Sequence, residues 1–290
     1  MSWLVFVLIL ASAISHALWN ALIKAGITHK EQASSAAQQL RGMLMLTAVQ
    51  ALLSLGLIAT FGLPPFHVWP FLVISAFMHS GYKFMLARAY RFGDISRVYP
   101  LARGAAPVLV LIISMMFQLE QLNAHDALSV LIISIGILLL AQDALVRAEN
   151  WRLLPFALLS ALFTALYTLI DGMGARLTEQ AISYVAMVFV LDILLFAPLV
   201  YLIYGRQAFV FSKNDAIKGS GAAFFSLFSY LVVVWAMTFA PMAQVSAVRE
   251  TSVLIAMLLG ALFFKDKINQ NKLFAGLIIV FGLIFMRFAA

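Results

Sequence analysis

Six ionisable side chains stand where an apolar sequence has no ordinary use for them. Lys83, Arg103 and Arg249, and the acids Asp171, Asp192 and Glu250, all fall inside long hydrophobic stretches. A charge at the centre of a bilayer-spanning helix costs ~2.5–3.5 kcal/mol on insertion scales, so each must face a partner or a wet cavity. Helical spacing gathers polar neighbours around them. His16, Asn20 and Lys24 recur every four residues, with Trp19 beside them. His79 and Lys83 repeat that interval with Tyr82 adjacent, and Tyr99 and Arg103 repeat it again. Thr164, Tyr167, Thr168 and Asp171 form one stripe, Ser226 and Tyr230 another, and Ser246, Arg249 and Glu250 a third cluster. Arg249 and Glu250 are adjacent, ~100° apart around a helix, so at least one turns away from any shared centre.

The chemistry these groups offer is binding and proton transfer. Arg103, Arg249 and Lys83 suit a carboxylate or phosphate, and Trp19, Tyr82 and Tyr167 can stack on a ring or an organic cation. Asp171 and Glu250 are candidate proton carriers, because a carboxylate in a low-dielectric site titrates closer to neutrality; His16 and His79 are alternatives. The cationic excess favours an anionic or zwitterionic small molecule. The competing reading is that the six charges are ion pairs locking helices together, and for Asp192 both roles stay open. Cysteine is absent, so disulfides and thiolate metal sites do not arise. No metal or cofactor is called for. The chain has no G-x-x-x-x-G-K-[S/T] loop, so it does not itself hydrolyse nucleotide.

An enzyme is the second class considered. Asp171-Gly172-Met173-Gly174-Ala175-Arg176 matches D-G-x-x-A-R, the opening of a lipid phosphotransferase signature. That signature next needs a Gly nine residues after the Arg, where Val185 stands, and further carboxylates, of which only Asp192 is near. Gly219-Ser220-Gly221 has no His paired to it by spacing, so an intramembrane protease is weaker still. A lipid flippase is a third possibility for the same polar core.

The elements that position these residues follow from composition. The 290 residues are 64% hydrophobic and 11% charged, against ~45–50% and ~25% for a soluble domain. A soluble enzyme, a nucleic-acid-binding domain and a disordered chain are excluded, and the net charge of +7 belongs to membrane loops rather than to nucleic acid. Ten hydrophobic segments are expected, at Trp3–Ala25, Leu40–Phe61, Val68–Arg88, Ser96–Phe117, Ala127–Ala141, Leu153–Ala175, Ser183–Tyr204, Ala216–Phe239, Gln244–Phe264 and Leu273–Phe288. All must be helices, since only a helix satisfies its own amides in hydrocarbon. The fold class is therefore an all-α integral membrane protein. The fifth and tenth segments carry almost nothing polar and read as scaffold. Polar faces on the first, third, fourth, sixth, eighth and ninth describe a central aqueous pocket. Pro100, Gly104 and Pro107 in the fourth mark either a hinge near that pocket or a static kink.

Loop charges set orientation. Alternate loops, with the C-terminal tail, divide the Lys and Arg residues fourteen to two, which places the rich side in the cytoplasm and both termini outside a cell inner membrane. The charge pattern also inverts between residues 1–145 and 150–290, as expected for two five-helix repeats of opposite sense. Self-similarity agrees. Ser12–Asn20 aligns with Ser160–Thr168 at an offset of 148, while Leu119–Asn123 aligns with Lys265–Asn269, and Gly136 with Gly282, at 146.

The same residues resemble the EamA-type, ten-helix members of the drug/metabolite transporter superfamily. The resemblance rests on His16-Ala17-Leu18-Trp19-Asn20 with Lys24, on the run from Gly93-Asp94 through Tyr99-Pro100 and Arg103-Gly104 to Pro107, on Glu120 with Asp266 as its second-half equivalent, and on Arg249-Glu250-Thr251-Ser252. It implies two inverted repeats around a central cavity and transport of small metabolites, as exporter or importer. Many relatives are drawn with cytoplasmic termini, whereas the charges here argue the reverse.

Overall fold

A computed structural model describes residues 1–26, 36–92, 95–140, 151–211, 213–264 and 268–288. Gly93, Asp94, Lys30, Arg147, Lys265, Asp266 and Lys267 lie outside these. The described residues form α1 (Trp3–Gly26), α2 (Ala36–Phe61), α3 (Trp69–Ala89), α4 (Ile95–Met116), α5 (Ala124–Leu140), α6 (Leu153–Arg176), α7 (Ala181–Tyr204), α8 (Lys213–Met237), α9 (Met242–Glu250), α10 (Ser252–Phe264) and α11 (Gln270–Phe288). Each expected segment is helical over most of its described residues. Among the described residues, eight stretches are long and apolar enough to span a bilayer. The exceptions are α5, at 17 residues, and α3, which is long enough but carries His79, Lys83 and Arg88.

Burial is inverted relative to a soluble protein. Outward faces expose Leu4, Val7, Leu52, Leu55, Leu202, Leu277 and Phe281, while His16, Gln50, Lys83, Arg103, Asp171 and Asp192 are buried. That distribution suits hydrocarbon outside and a polar interior. Two glycines at positive φ end corresponding helices. Gly62 (φ 82) follows α2 and Gly205 (φ 66) closes α7, and their amides bond back to Ile58 and Tyr201 carbonyls at 2.8 Å.

The main packing between the halves comes in exchangeable pairs: α1 lies on α8 as α3 lies on α6, α2 meets α7, and α5 meets α11. At the last contact, a Cβ added to Gly136 would lie 2.6 Å from Ile279 Cγ1, and one added to Gly282 would lie 2.7 Å from Ile133 Cγ1. Both pairs are related by the offset of 146 seen in the sequence. These contacts are consistent with a twofold relation between halves.

One local feature differs from expectation: the ninth segment is not one helix. It breaks at Thr251, whose hydroxyl donates to the Val248 carbonyl at 2.6 Å, so that the helix resets beside Arg249 and Glu250. The fourth segment, by contrast, runs unbroken through Pro100 and Pro107. Gly104 serves close packing there, since a Cβ would come 2.8 Å from Leu138 Cγ.

Candidate functional site

Both halves wall a small chamber. Its lining comprises His16 and Trp19 from α1, Leu46 and Gln50 from α2, His79, Tyr82 and Lys83 from α3, and Arg103 from α4. The second half adds Tyr167 from α6, Phe189 from α7, Ser226 and Tyr230 from α8, and Arg249 from α9. The chamber measures about 30 Å3, room for a few waters. A wider cleft of about 230 Å3 opens at the end of α6, against Arg176, Glu179, Trp235 and Phe239. It contains none of the expected site residues, so size alone does not locate the chemistry.

Four expected site residues stand just behind the lining. Asn20 donates to Tyr99 Oη at 3.1 Å and to the His16 carbonyl at 2.8 Å, and His16 Nε2 lies 3.1 Å from the same Tyr99 Oη. Tyr99 in turn lies under the Arg103 guanidinium, 5.1 Å from its ring centre. Asp171 and Glu250, the other two, hold buried charge.

Each carboxylate has its own setting. Asp192 accepts from the Lys83 ammonium and, at 3.3 Å, from Ser80 Oγ. Lys83 also donates to Thr47 Oγ1 at 2.8 Å. Glu250 accepts from Arg103 Nη1 at 3.3 Å through one oxygen. Asp171 forms no salt bridge with a Lys or Arg among the described residues. Tyr184 donates to Oδ1 at 3.1 Å, Tyr230 donates to Oδ2, and His79 Nε2 lies 3.2 Å from both Oδ2 and Tyr230 Oη. Both neighbours of that imidazole nitrogen act as acceptors, so Nε2 carries the hydrogen in this arrangement. The His79 ring stacks on Tyr167 with centroids 4.0 Å apart.

Asp192 therefore stands with Lys83 as an ion pair at the chamber wall. Arg249 and Glu250 diverge around their helix, with the guanidinium lining the chamber and the carboxylate behind it. The side chain of Lys24 lies outside the described residues.

Several participants lie outside the expected site set. Gln50 and Ser226 line the chamber and bond to each other at 3.1 Å; Ser226 shares a stripe with Tyr230 in the sequence, whereas Gln50 stands there as an isolated polar residue. Tyr184 could have been found, because it lies eight residues before Asp192 on one face of α7. Phe189 carried no signal against its apolar neighbours.

Glu120 ties the halves together away from the chamber. Its carboxylate accepts the Met242 and Ala243 backbone amides at 2.6 and 3.1 Å, capping α9, and lies 3.6 Å from Arg176. Arg176 itself donates to the Met237 and Ala240 carbonyls at 2.8 and 3.1 Å.

No curated protein matches the chain. A crystal structure of another protein superposes with a TM-score of 0.73 at 15% identity, covering 99% of this chain and 96% of that one. At that identity the likeness concerns the fold alone. Residues 151–288 match the model of the EamA-like transporter family, the half that carries Arg249-Glu250-Thr251-Ser252. The multi-pass helical architecture agrees with this similarity of residues 151–288 to the EamA-like transporter family.

Proposed function

We propose that the chain is a secondary transporter that moves a small organic metabolite across the cytoplasmic membrane by alternating access. Residues 1–145 and 150–290 act as two inverted repeats, with both termini outside. The observation that carries this reading is the buried polar chamber between the halves, with its aromatic and charged wall drawn from both. At about 30 Å3 it admits no metabolite until helices separate, and movement of one half against the other is the way a site between repeats opens. His79 and Asp171, joined at 3.2 Å, are the groups best placed to take up a coupled proton. His16, Trp19, Asn20, His79, Tyr82, Lys83, Tyr99, Arg103, Tyr167, Asp171, Tyr230, Arg249 and Glu250 form the binding and coupling set.

The lipid-headgroup enzyme fits less well. That chemistry needs Asp171 and Asp192 to share a divalent cation, yet tyrosines occupy the first and Lys83 the second. Reconstitution into liposomes tests the transporter reading. A labelled panel of amino acids, organic anions, quaternary amines and phosphonates is offered, and at least one class is expected to accumulate. Arg103→Ala is expected to abolish that flux while the purified protein stays helical and monodisperse. Flux in that variant near the wild-type level overturns the assignment of Arg103.

A further inference from the structure

We propose that the chamber takes its cargo by an oxyanion head, a carboxylate or phosphate-type group, held between Arg249 and the indole N–H of Trp19. This rests on the transporter reading and adds the chemical class of the cargo.

Every charged side chain that lines the chamber is a cation: Lys83, Arg103 and Arg249. The carboxylates lie behind that wall. Asp192 backs Lys83, Glu250 backs Arg103, and Asp171 is covered by Tyr184, Tyr230 and His79. Two of the cations are thus neutralised from the far side, and the third is not. Arg249 is 6% exposed. Among the described residues it makes no ion pair or hydrogen bond, and its Nε is buried without a partner. Its guanidinium lies over the Tyr230 ring, 5.3 Å from the centre. Trp19 Nε1 is also buried without an acceptor, and its ring abuts His16 at 5.1 Å.

A desolvated guanidinium that makes no direct ion pair or hydrogen bond among the described residues, with the adjacent Glu250 acting on it only through space, and an indole N–H with no acceptor are both costly to keep. An oxyanion brought by the cargo relieves the two at once. The planar guanidinium fork suits a carboxylate or phosphate geometrically. Tyr82, Tyr167 and Phe189 offer apolar surface to the rest of the molecule once the halves part. An ammonium group finds no such reception, because no carboxylate among the described residues lines the chamber.

The test uses the full chain in phosphatidylcholine liposomes and labelled probes with related bodies: succinate, 3-phosphonopropionate, succinamide and 1,4-diaminobutane, beside the wider panel above. Anions are expected to cross at least about tenfold faster than amides or amines. Arg249→Gln should lower anion flux by about ten- to hundredfold, the range for losing a hydrogen bond to a charged group, and Arg249→Lys should restore part of it. Trp19→Phe keeps a ring but removes the donor, and should raise KM about tenfold with kcat little changed. It carries the test if Arg249→Gln does not fold. Flux that favours amides or amines, or anion flux unchanged in both variants, overturns the oxyanion assignment while leaving transport intact. Flux of no compound in any class overturns the transporter reading itself. Arg249-dependent scrambling of fluorescent phosphatidylglycerol would assign the oxyanion to a lipid headgroup; flux of soluble anions alone assigns it to a free metabolite.

Discussion

Lys83 and Asp192 show how a buried charge is tolerated in an apolar bundle. Their side chains are only 4% and 0% exposed, and Thr47 and Ser80 supply further hydrogen bonds. Removing one partner of such a pair strands the other, at ~3–5 kcal/mol, whereas removing both can be nearly neutral. Lys83→Met is therefore expected to lower the thermal unfolding midpoint in detergent more than the Lys83→Met/Asp192→Asn double variant does. A loss in the double variant equal to the sum of the losses in Lys83→Met and Asp192→Asn would show that the pair contributes nothing as a pair. Helical spacing identified Lys83 and Asp192 as anomalies, one on α3 and one on α7. It did not join them, since partners 109 positions apart share no periodicity.

Helix ends and helix crossings carry the next level of specificity. At the α5–α11 crossing the backbones approach so closely that Gly136 and Gly282 each face an isoleucine from the other half. A methyl group there meets Ile279 Cγ1 or Ile133 Cγ1 below 3 Å, with the isoleucine backbone nitrogens at 3.0 and 3.1 Å. Backbone cannot move aside as a flexible side chain can. Gly136→Ala and Gly282→Ala are each expected to destabilise by ~1–3 kcal/mol, and by similar amounts, read as paired shifts in unfolding midpoint. A large loss in one and none in the other would argue against equivalent roles. The Glu120 cap on α9 is a second case. Glu120→Ala leaves two amides of α9 without that acceptor and should cost ~0.5–2 kcal/mol, while Glu120→Gln, which still accepts, should cost less. The break at Thr251 belongs to this scale too. The polar run Arg249–Ser252 marks the place in the sequence, but Met242–Leu262 as a whole still reads as one span by length and hydropathy, which hides the break.

For the whole molecule, orientation is the property most open to a direct check. With fourteen basic residues on one side and two, Arg176 and Arg287, on the other, both termini are expected on the outer face. The chain has no cysteine, so single cysteines report without background. Ser2→Cys should react with an impermeant maleimide added to intact cells. Gln207→Cys, in the short turn Arg206–Phe209 between α7 and α8, should react only after permeabilisation. Labelling in the opposite order would reverse the topology and with it the side to which each end of the chamber opens.

Membrane residence, helical fold class and near-complete helix positions were legible from composition and apolar run length, because hydrocarbon leaves the backbone no alternative to the helix. The sequence also points to a twofold pattern, through offsets of 148 and 146 and inverted loop charge, and the paired packing of helices between the halves is consistent with it. Tertiary structure alone decided which buried charge answers which. Asp192 meets Lys83, Glu250 meets Arg103, Tyr184 and Tyr230 close over Asp171, and Arg249 makes no direct ion pair among the described residues. Those outcomes depend on how far apart helix faces are rotated and how closely they pack. A one-dimensional pattern gives each helix its polar stripe but not the neighbour that stripe will face.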